Sequence, residues 1–358
     1  MNRAVFRILD ANANRAREAL RVIEEHARFV CDDAEAAAAT KRARHTLRRL
    51  VETLGADRLL AARDIEHDVG RDLATAGELR RRQPDDVVAA AFARLTEAAR
   101  ALAEYAKIVS PDAARLAEAL RYDAYALEPR IRLRAALCRR LRDLRLYVLL
   151  TEALCARPWR ETAEAVLSGG ADCLQLREKS LADADLLARA RELREMTASH
   201  GALLIVNDRP DIARLVGADG VHVGQDDLPA EQARRILGSA GLVGVSTHSR
   251  AELDAAIEQQ PDYIAVGPMF ASPTKPDVPT AGLELARYAA GRSRLPLIAI
   301  GGITSENVGD VVAAGVPRVC VCSAVLGASD PQAATCVLRE RLESAAQAIQ
   351  RGAKGLWE

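Results

Sequence analysis

From about residue 144 onward the chain repeats one rhythm, a short apolar run followed by an amphipathic helical pattern. The apolar runs fall at 144–150, 172–176, 202–206, 220–223, 242–245, 263–266, 297–300 and 318–321. Helical periodicity fills the spaces between them, most clearly at 183–200, 229–237, 250–259 and 305–314. Strands that alternate with helices must run parallel, and a parallel sheet is covered on both faces, so its strands read as near-continuous apolar runs. Eight such units in about 200 residues predict a closed (β/α)₈ barrel. A doubly wound open sheet is the alternative, but the Gly-rich dinucleotide fingerprint is missing after the first strand.

Residues 1 to about 140 have a different texture. Ala, Leu, Arg and Glu dominate, and apolar positions recur at helical spacing, as in Leu20, Ile23, Ala27 and Val30. The fold class is therefore α/β, an all-α domain over 1–140 followed by a barrel domain over 144–350. The boundary lies in 128–143, a charged stretch containing Pro129 that is itself compatible with helix. Residues 18–30 and 97–109 share the pattern E-A-x-R-x3-E-[HY]-A-[RK]-[FI]-V. Two readings are open: two amphipathic helices of similar composition, or a duplicated helical unit packing face to face.

Bulk properties narrow the function. The 50 basic residues balance 50 acidic ones, which argues against a nucleic-acid binder that relies on net charge. No apolar run is long enough to span a membrane and the first residues lack a signal-peptide apolar region, so a cytoplasmic protein is expected. Seven cysteines without a C-x-x-C pair, three of them (Cys173, Cys320, Cys322) in apolar runs, are expected to be buried thiols rather than zinc ligands.

In a (β/α)₈ barrel, binding and catalytic groups sit at the C-terminal ends of the strands, and polar residues collect there. Strand 2 runs into Gln175, Arg177, Glu178 and Lys179. Alternation puts Gln175, Arg177 and Lys179 on one face, and two cations beside an amide suit a polyanion such as pyrophosphate. Only five lysines occur (Lys41, Lys107, Lys179, Lys275, Lys354), so arginine is the default cation and Lys179 and Lys275 stand out in loop motifs. Asp208 and Asp227 follow strands 3 and 4 at matching depth. Such a carboxylate pair fits a Mg²⁺–pyrophosphate site; each could instead cap the helix that starts beyond it. Gly301-Gly302 after strand 7 and Ser323 after strand 8 mark the position where barrels of this kind hold a phosphate on backbone N–H groups. His222 falls mid-strand and is expected to pack inside the barrel; His248 is a weaker candidate.

These motifs resemble one family. QLREK (175–179), VND (206–208), HVGQDD (222–227), GVSTH (244–248), GPMFASPTK (267–275), IGGI (300–303) and VCSAV (321–325) are similar, in order and spacing, to thiamine phosphate synthase over about 144–345. The resemblance implies a transferase joining 4-amino-2-methyl-5-(diphosphooxymethyl)pyrimidine to a simple or carboxylated thiazole phosphate, with release of pyrophosphate. It implies that Gln175, Arg177, Lys179, Asn207, Ser246 and Lys275 hold the pyrimidine diphosphate. Arg177, Lys179, Ser246 and Lys275 would be the catalytic groups, and Asp208 and Asp227 would bind Mg²⁺. Ser272, Pro273, Thr274, Gly302, Cys322 and Ser323 would hold the thiazole phosphate. Asp226 preserves the charge of an acidic family position, and Cys322 stands where Val or Ile is common. A thiazole tautomerase, an isomerase on the same barrel, is the alternative; it would not need the full diphosphate-binding set.

The N-terminal half, through Arg7 to Arg15, Glu18 to Glu25, Lys41 to His45, Arg63-Asp64 and Asp68 to Arg71, resembles a helical domain fused ahead of some bacterial members. That resemblance implies work in the pyrimidine branch, as a hydroxymethylpyrimidine phosphate kinase, although no P-loop or kinase signature is present. Asp10, Asn12, Asn14, Arg15, Glu18 and Arg21 could form a site near a helix start or a capped, solvated face. Small-molecule substrates, no nucleic acid and no membrane are the expected partners; the oligomeric state, a homo-oligomer included, is left open.

Overall fold

The computed structural model describes residues 3–31, 33–64, 66–67, 81–238, 240–271 and 280–354. The chain divides into two compact units, Met1–Ala136 and Leu137–Glu358, and the division falls inside one long helix.

The first unit is helical throughout its described residues. It contains α1 (Arg3–Phe29), α2 (Ala34–Leu54), α3 (Ala56–Ala62), α4 (Pro84–Ala106) and most of α5 (Pro111–Asp143). Helix α1 buries Leu9, Ala13, Ala16, Leu20, Ile23 and Ala27, a stripe at three- and four-residue spacing. Helix α4 starts with Pro84 followed by Asp85 and Asp86, which suit the positive end of the helix dipole. It buries Leu95, Ala98, Ala99, Leu102 and Ala106. Alanines on both stripes let the two backbones approach, and α1 packs along α4. His26, near the end of α1, lies 3.9 Å from Asp85 at the start of α4, so the two helices run antiparallel. The two sequence repeats, both in the C-terminal halves, therefore do not lie opposite one another; they carry equivalent surface pairs, Arg21–Glu25 at 2.8 Å and Arg100–Glu104 at 3.0 Å. Helix α2 begins at Asp33, whose carboxylate accepts from the Ala36 N–H at 2.9 Å. Helix α5 runs through Pro129 without ending.

The second unit is a closed parallel barrel of β1 (Leu146–Leu150), β2 (Cys173–Leu176), β3 (Leu203–Asn207), β4 (Gly220–Val223), β5 (Leu242–Thr247), β6 (Tyr263–Val266), β7 (Leu297–Ile300) and β8 (Val319–Val321). The strands pair in chain order, and β8 closes on β1. The connecting helices are α6 (Trp159–Ser168), α7 (Asp183–Ser199), α8 (Pro210–Val216), α9 (Ala230–Leu237), α10 (Arg250–Glu258), α11 (Gly282–Arg292) and α12 (Val308–Ala313), with the short α13 (Ser323–Leu326) and α14 (Pro331–Lys354) at the end. Strict alternation divides each strand between two cores. Val148, Leu174, Val206, Val221, Val243, Ile264, Ala299 and Val321 pack outward on the helices. Tyr147, Cys173, Leu203, Ile205, Leu242, Tyr263, Ile298 and Cys320 fill the interior, and Leu141 and Leu144 join that inner cluster. Gly244 makes room inside: a Cβ there would lie 2.0 Å from the Tyr263 ring.

Three aspartates tie the strands at their N-terminal ends. Asp172, just before β2, accepts from the Leu146 N–H of β1 at 2.9 Å and pairs with Arg339 at 2.8 Å. Asp219, just before β4, accepts from the Leu204 N–H of β3 at 2.8 Å and pairs with Arg194 at 2.8 Å. Asp262, just before β6, accepts from the Val243 N–H of β5 at 2.7 Å and pairs with Arg234 at 2.9 Å. Before β8 the corresponding residue is Arg318, which donates to the Arg142 carbonyl at 2.6 Å. All seven cysteines are free thiols, and no helix among the described residues is long and apolar enough to cross a membrane.

Candidate active site

A cavity of about 580 Å³ opens at the C-terminal ends of the strands. Its wall includes Gln175 and Arg177 from β2 and its exit, Asn207 from β3, His222 from β4, Ser246 from β5, Gly301 and Gly302 after β7, and Cys322 and Ser323 after β8. Seven expected site residues thus meet in one hollow: Gln175, Arg177, Asn207, Ser246, Gly302, Cys322 and Ser323. Lys179, Asp208 and Asp227 do not line it. They belong to the rim, on the turns that follow β2, β3 and β4, three neighbouring strands. Ser272, Pro273, Thr274 and Lys275 lie outside the described residues.

The exit of β2 is held from both sides. The Arg177 N–H donates to the Leu150 carbonyl at 2.9 Å, and Thr151 Oγ1 donates to the Arg177 carbonyl at 2.9 Å. Glu178, between the two cations, turns away from the cavity. It pairs with the half-buried Arg189 at 2.9 Å and accepts from the Glu152 N–H at 2.7 Å. Its neighbour Lys179 is 65% exposed and reaches Asp208 at 3.9 Å.

Asp208 occupies a left-handed backbone conformation (φ 60°), which costs a non-glycine residue about 1 kcal/mol or more. Its N–H donates to the His222 carbonyl at 2.8 Å. Neither aspartate caps a helix: Arg209 and Pro229 precede α8 and α9, while Asp227 Oδ2 accepts from the Gly224 N–H at 2.8 Å. The capping alternative falls because the turn geometry holds each carboxylate back from the helix start. Burial, and then the neighbouring Asp227, push the Asp208 carboxyl up to about 6, against the pull of Lys179 and Arg177. A pair of carboxylates in that state is relieved by a divalent cation. Among the described residues no cluster of three or more His, Cys, Asp or Glu could hold a metal ion by itself. Two carboxylates still fit Mg²⁺, which retains waters and shares phosphate oxygens.

Beneath the rim runs a chain of buried polar groups. Gln175 Nε2 donates to Tyr147 OH at 2.7 Å, and Tyr147 OH lies 3.2 Å from Tyr263 OH. Tyr263 OH lies 3.1 Å from His222 Nδ1, and His222 Nε2 lies 2.8 Å from Ser246 Oγ. Burial pushes the His222 imidazolium down to about 4 and holds both phenols well above their ordinary range, so all three rings are neutral at pH 7. Two proton arrangements satisfy this chain, one for each tautomer of the neutral imidazole. Tyr147 accepts from Gln175 in both; with the Nε2–H tautomer, Tyr147 donates to Tyr263, Tyr263 to Nδ1 and Nε2 to Ser246, and with the Nδ1–H tautomer the last three directions reverse. In the Nε2–H tautomer the Ser246 proton is left for the cavity. At the other end Gln175 Oε1 is buried without a hydrogen-bond partner. The wall of the hollow thus carries an amide on β2 and a hydroxyl on β5, joined beneath it by one chain of buried polar groups.

The sequence did not single out Tyr147 and Tyr263, because each sits in an apolar strand as a Phe would. The available signal was the hydroxyl itself, since a tyrosine inside a barrel needs a partner. On the β7 side, Gly302 has φ 62°, and a Cβ there would lie 2.6 Å from the Ala271 carbonyl oxygen. Only glycine fits at that approach.

In the helical unit, Asp10, Asn12, Asn14, Arg15, Glu18 and Arg21 lie well inside α1, not near its start, because the apolar period of Val5, Phe6 and Leu9 carries the helix back to Arg3. They do not form one constellation. Asp10 is buried in a two-point pair with Arg63 at 2.7 and 2.8 Å, and Asn12 Nδ2 donates to the Ile8 carbonyl at 2.9 Å. Arg15, Glu18 and Arg21 face solvent.

Comparison with known proteins agrees with this division. Residues 146–325 match the family model described as thiamine monophosphate synthase, and residues 7–130 match that of the ThiD2 family. The thiamine-phosphate synthase of Thermosynechococcus vestitus is 42% identical over 338 residues, covering 94% of each chain. That of Gloeobacter violaceus is 44% identical over 341 residues, covering 94% of this chain and 97% of the relative. Both carry a synthase's name, not an isomerase's. Among solved structures, thiamine phosphate pyrophosphorylase from Pyrococcus furiosus is 35% identical with a TM-score of 0.54, covering 57% of this chain and 98% of its own. The chain belongs to the thiamine-phosphate synthase family, as an enzyme whose barrel follows a unit of the ThiD2 family.

Proposed function

We propose that the barrel joins 4-amino-2-methyl-5-(diphosphooxymethyl)pyrimidine to thiazole phosphate, giving thiamine phosphate and pyrophosphate. The observation that carries this reading is the convergence of Gln175, Arg177, Asn207 and Ser246 on one hollow whose rim holds the Lys179–Asp208 pair, 3.9 Å apart. An aminopyrimidine, with an exocyclic N–H donor beside a ring-nitrogen acceptor, suits a wall that carries the Gln175 amide and the Ser246 hydroxyl. Its diphosphate would extend toward Arg177, Lys179, Asn207 and Lys275. Gly302, Cys322 and Ser323, with Ser272, Pro273 and Thr274, would hold the thiazole phosphate across the same mouth.

The reaction needs little from a general base, which accords with a site whose one buried histidine is kept neutral. The C–O bond to the diphosphate breaks, the electron pair leaves with pyrophosphate, and the electron-rich aminopyrimidine carries the positive charge on its methylene. The thiazole nitrogen then forms the new C–N bond. Arg177, Lys179 and Lys275 neutralise the charge that develops on the leaving group, and the two ring pockets hold the reacting atoms in line. Asp208 and Asp227 would hold Mg²⁺, which when bound supplies further neutralisation of the diphosphate. The test is product formation by the full chain from the two purified phosphates, with and without Mg²⁺. Absence of thiamine phosphate under both conditions would remove the proposal.

For the helical unit, membership of the ThiD2 family supports work in the pyrimidine branch, converting hydroxymethylpyrimidine phosphate to its diphosphate. The check is ATP-dependent appearance of the diphosphate with the full chain. A cytoplasmic setting suits both reactions.

A further inference from the structure

The helical unit contains a second cavity, of about 300 Å³, between α1 and α2. Arg17 lines it from α1, and Lys41, Arg44, His45 and Arg48 line it from α2. On α2 these positions follow the i, i+3, i+4, i+7 spacing of one helical face, directly beside the stripe that buries Thr40, Ala43, Leu47 and Leu50. A composition with 50 acidic and 50 basic residues does not force four permanent cations onto one hollow, and like charges at this spacing oppose the helix by a few tenths of a kcal/mol per pair.

Carboxylates answer only some of this charge. Arg44 pairs with the buried Glu24, and Arg48 pairs with Glu52 at 3.4 Å. Arg17 donates to the Asn14 side-chain oxygen, which is uncharged. Lys41 has no carboxylate within ion-pair distance among the described residues, although lysine is the rare cation of this chain. Two positive charges therefore remain in a concave site with apolar wall from Leu47 and Val51. A point ammonium opposite a guanidinium fork complements a dianionic phosphate.

We propose that this cavity binds a phosphate monoester, with Arg17 and Lys41 on the phosphate oxygens and Leu47 and Val51 against the organic group. The inference concerns a site apart from the barrel mouth and does not depend on the reaction proposed for either unit. The ligand is either the substrate of the helical unit or a phosphorylated effector of the enzyme; the chemistry of capture is the same.

The five lysines make the test direct. In the full chain labelled at lysine side chains for NMR, the Lys41 signal is assigned by its loss in Lys41→Arg. Phenyl phosphate is titrated at constant ionic strength. The expected result is a saturable shift of Lys41, with Lys107, held 3.0 Å from Glu104 on the surface, unmoved. Arg17→Ala should weaken the Lys41 response at least tenfold. Lys179, at the barrel rim, reports that site in the same spectra, so failure there and failure here are separately visible. Repeating the titration with hydroxymethylpyrimidine phosphate and with thiamine phosphate distinguishes substrate from effector. A Lys41 signal that moves no more than Lys107, or that titrates identically in Arg17→Ala, overturns the proposal.

Discussion

His222 Nε2 lies 2.8 Å from Ser246 Oγ, and this contact couples the serine hydroxyl to the tautomer of the imidazole. With the imidazole protonated on Nε2, Ser246 receives a hydrogen bond from below and offers its own proton to the cavity. Replacing Ser246 with Ala should raise KM for the pyrimidine diphosphate by roughly 10- to 100-fold, the cost of one buried unmade hydrogen bond. Steady-state kinetics with each substrate varied in turn would check it; equal effects on both KM values would contradict the assignment.

The same histidine makes a pH prediction. Its folded-state value of about 4 lies below the ordinary 6.5, so the unfolded chain binds the proton more readily. Its contribution is complete above about pH 6.5 and is lost as pH falls through about 4, to a total of roughly 3 kcal/mol. Urea unfolding of the wild type and of His222→Gln across pH 4–8 should give curves that converge toward low pH. Parallel curves would mean that His222 does not titrate differently on folding.

Proton and metal should compete at the rim. Asp208 titrates at about 6 without metal because burial and Asp227 disfavour its charge, so Mg²⁺ affinity should fall as pH drops below that value. Calorimetric titration at pH 5.0 and 7.5 should show at least a fivefold difference. Asp208→Asn should bind weakly at both pH values and show little difference between them. A pH-independent affinity in the wild type would argue that Asp208 is not a ligand.

Gly244 sets the position of the Tyr263 ring. A methyl group 2.0 Å from that ring carbon cannot be accommodated without displacing the side chain or the strand, so Gly244→Ala should cost at least 1–3 kcal/mol. Chemical unfolding measures it. Gly244→Ala combined with Tyr263→Phe should stay destabilised, since the clash involves the ring and not the hydroxyl.

Asp219 offers a contrast at the opposite end of the barrel. Asp219→Ala removes the acceptor of the Leu204 N–H and leaves Arg194 without its partner. A loss of about 2–4 kcal/mol in stability is expected, from an unpaired buried donor and a broken ion pair. Activity per folded molecule should be unchanged, as measured by kcat below the unfolding transition.

Much of this architecture was legible in the residues. The eight apolar runs coincide with the eight strands within two residues at either end, because a strand buried on both faces has no polar position to blur its limits. The rim was legible because charged residues directly after such runs have few structural reasons to be there. Tyr147, Tyr263 and the Gln175–Ser246 link were not, since contacts across a barrel join residues as far apart as Tyr147 and Tyr263, and nothing local marks them. The start of α1 was missed for the opposite reason: a dense run of polar side chains from Asp10 to Arg21 suggested an end, while Val5, Phe6 and Leu9 continued the helix behind it.

Asp172, Asp219 and Asp262 precede β2, β4 and β6, each binding the strand before it and an arginine from an outer helix. Three of the four successive strand pairs are thereby fastened as modules, and each fastening lies at the floor, a full strand length from the mouth. Foundation and workshop are segregated. Residues at the mouth are free to diversify toward new substrates without loosening the cylinder, and this division of labour lets one barrel serve many reactions.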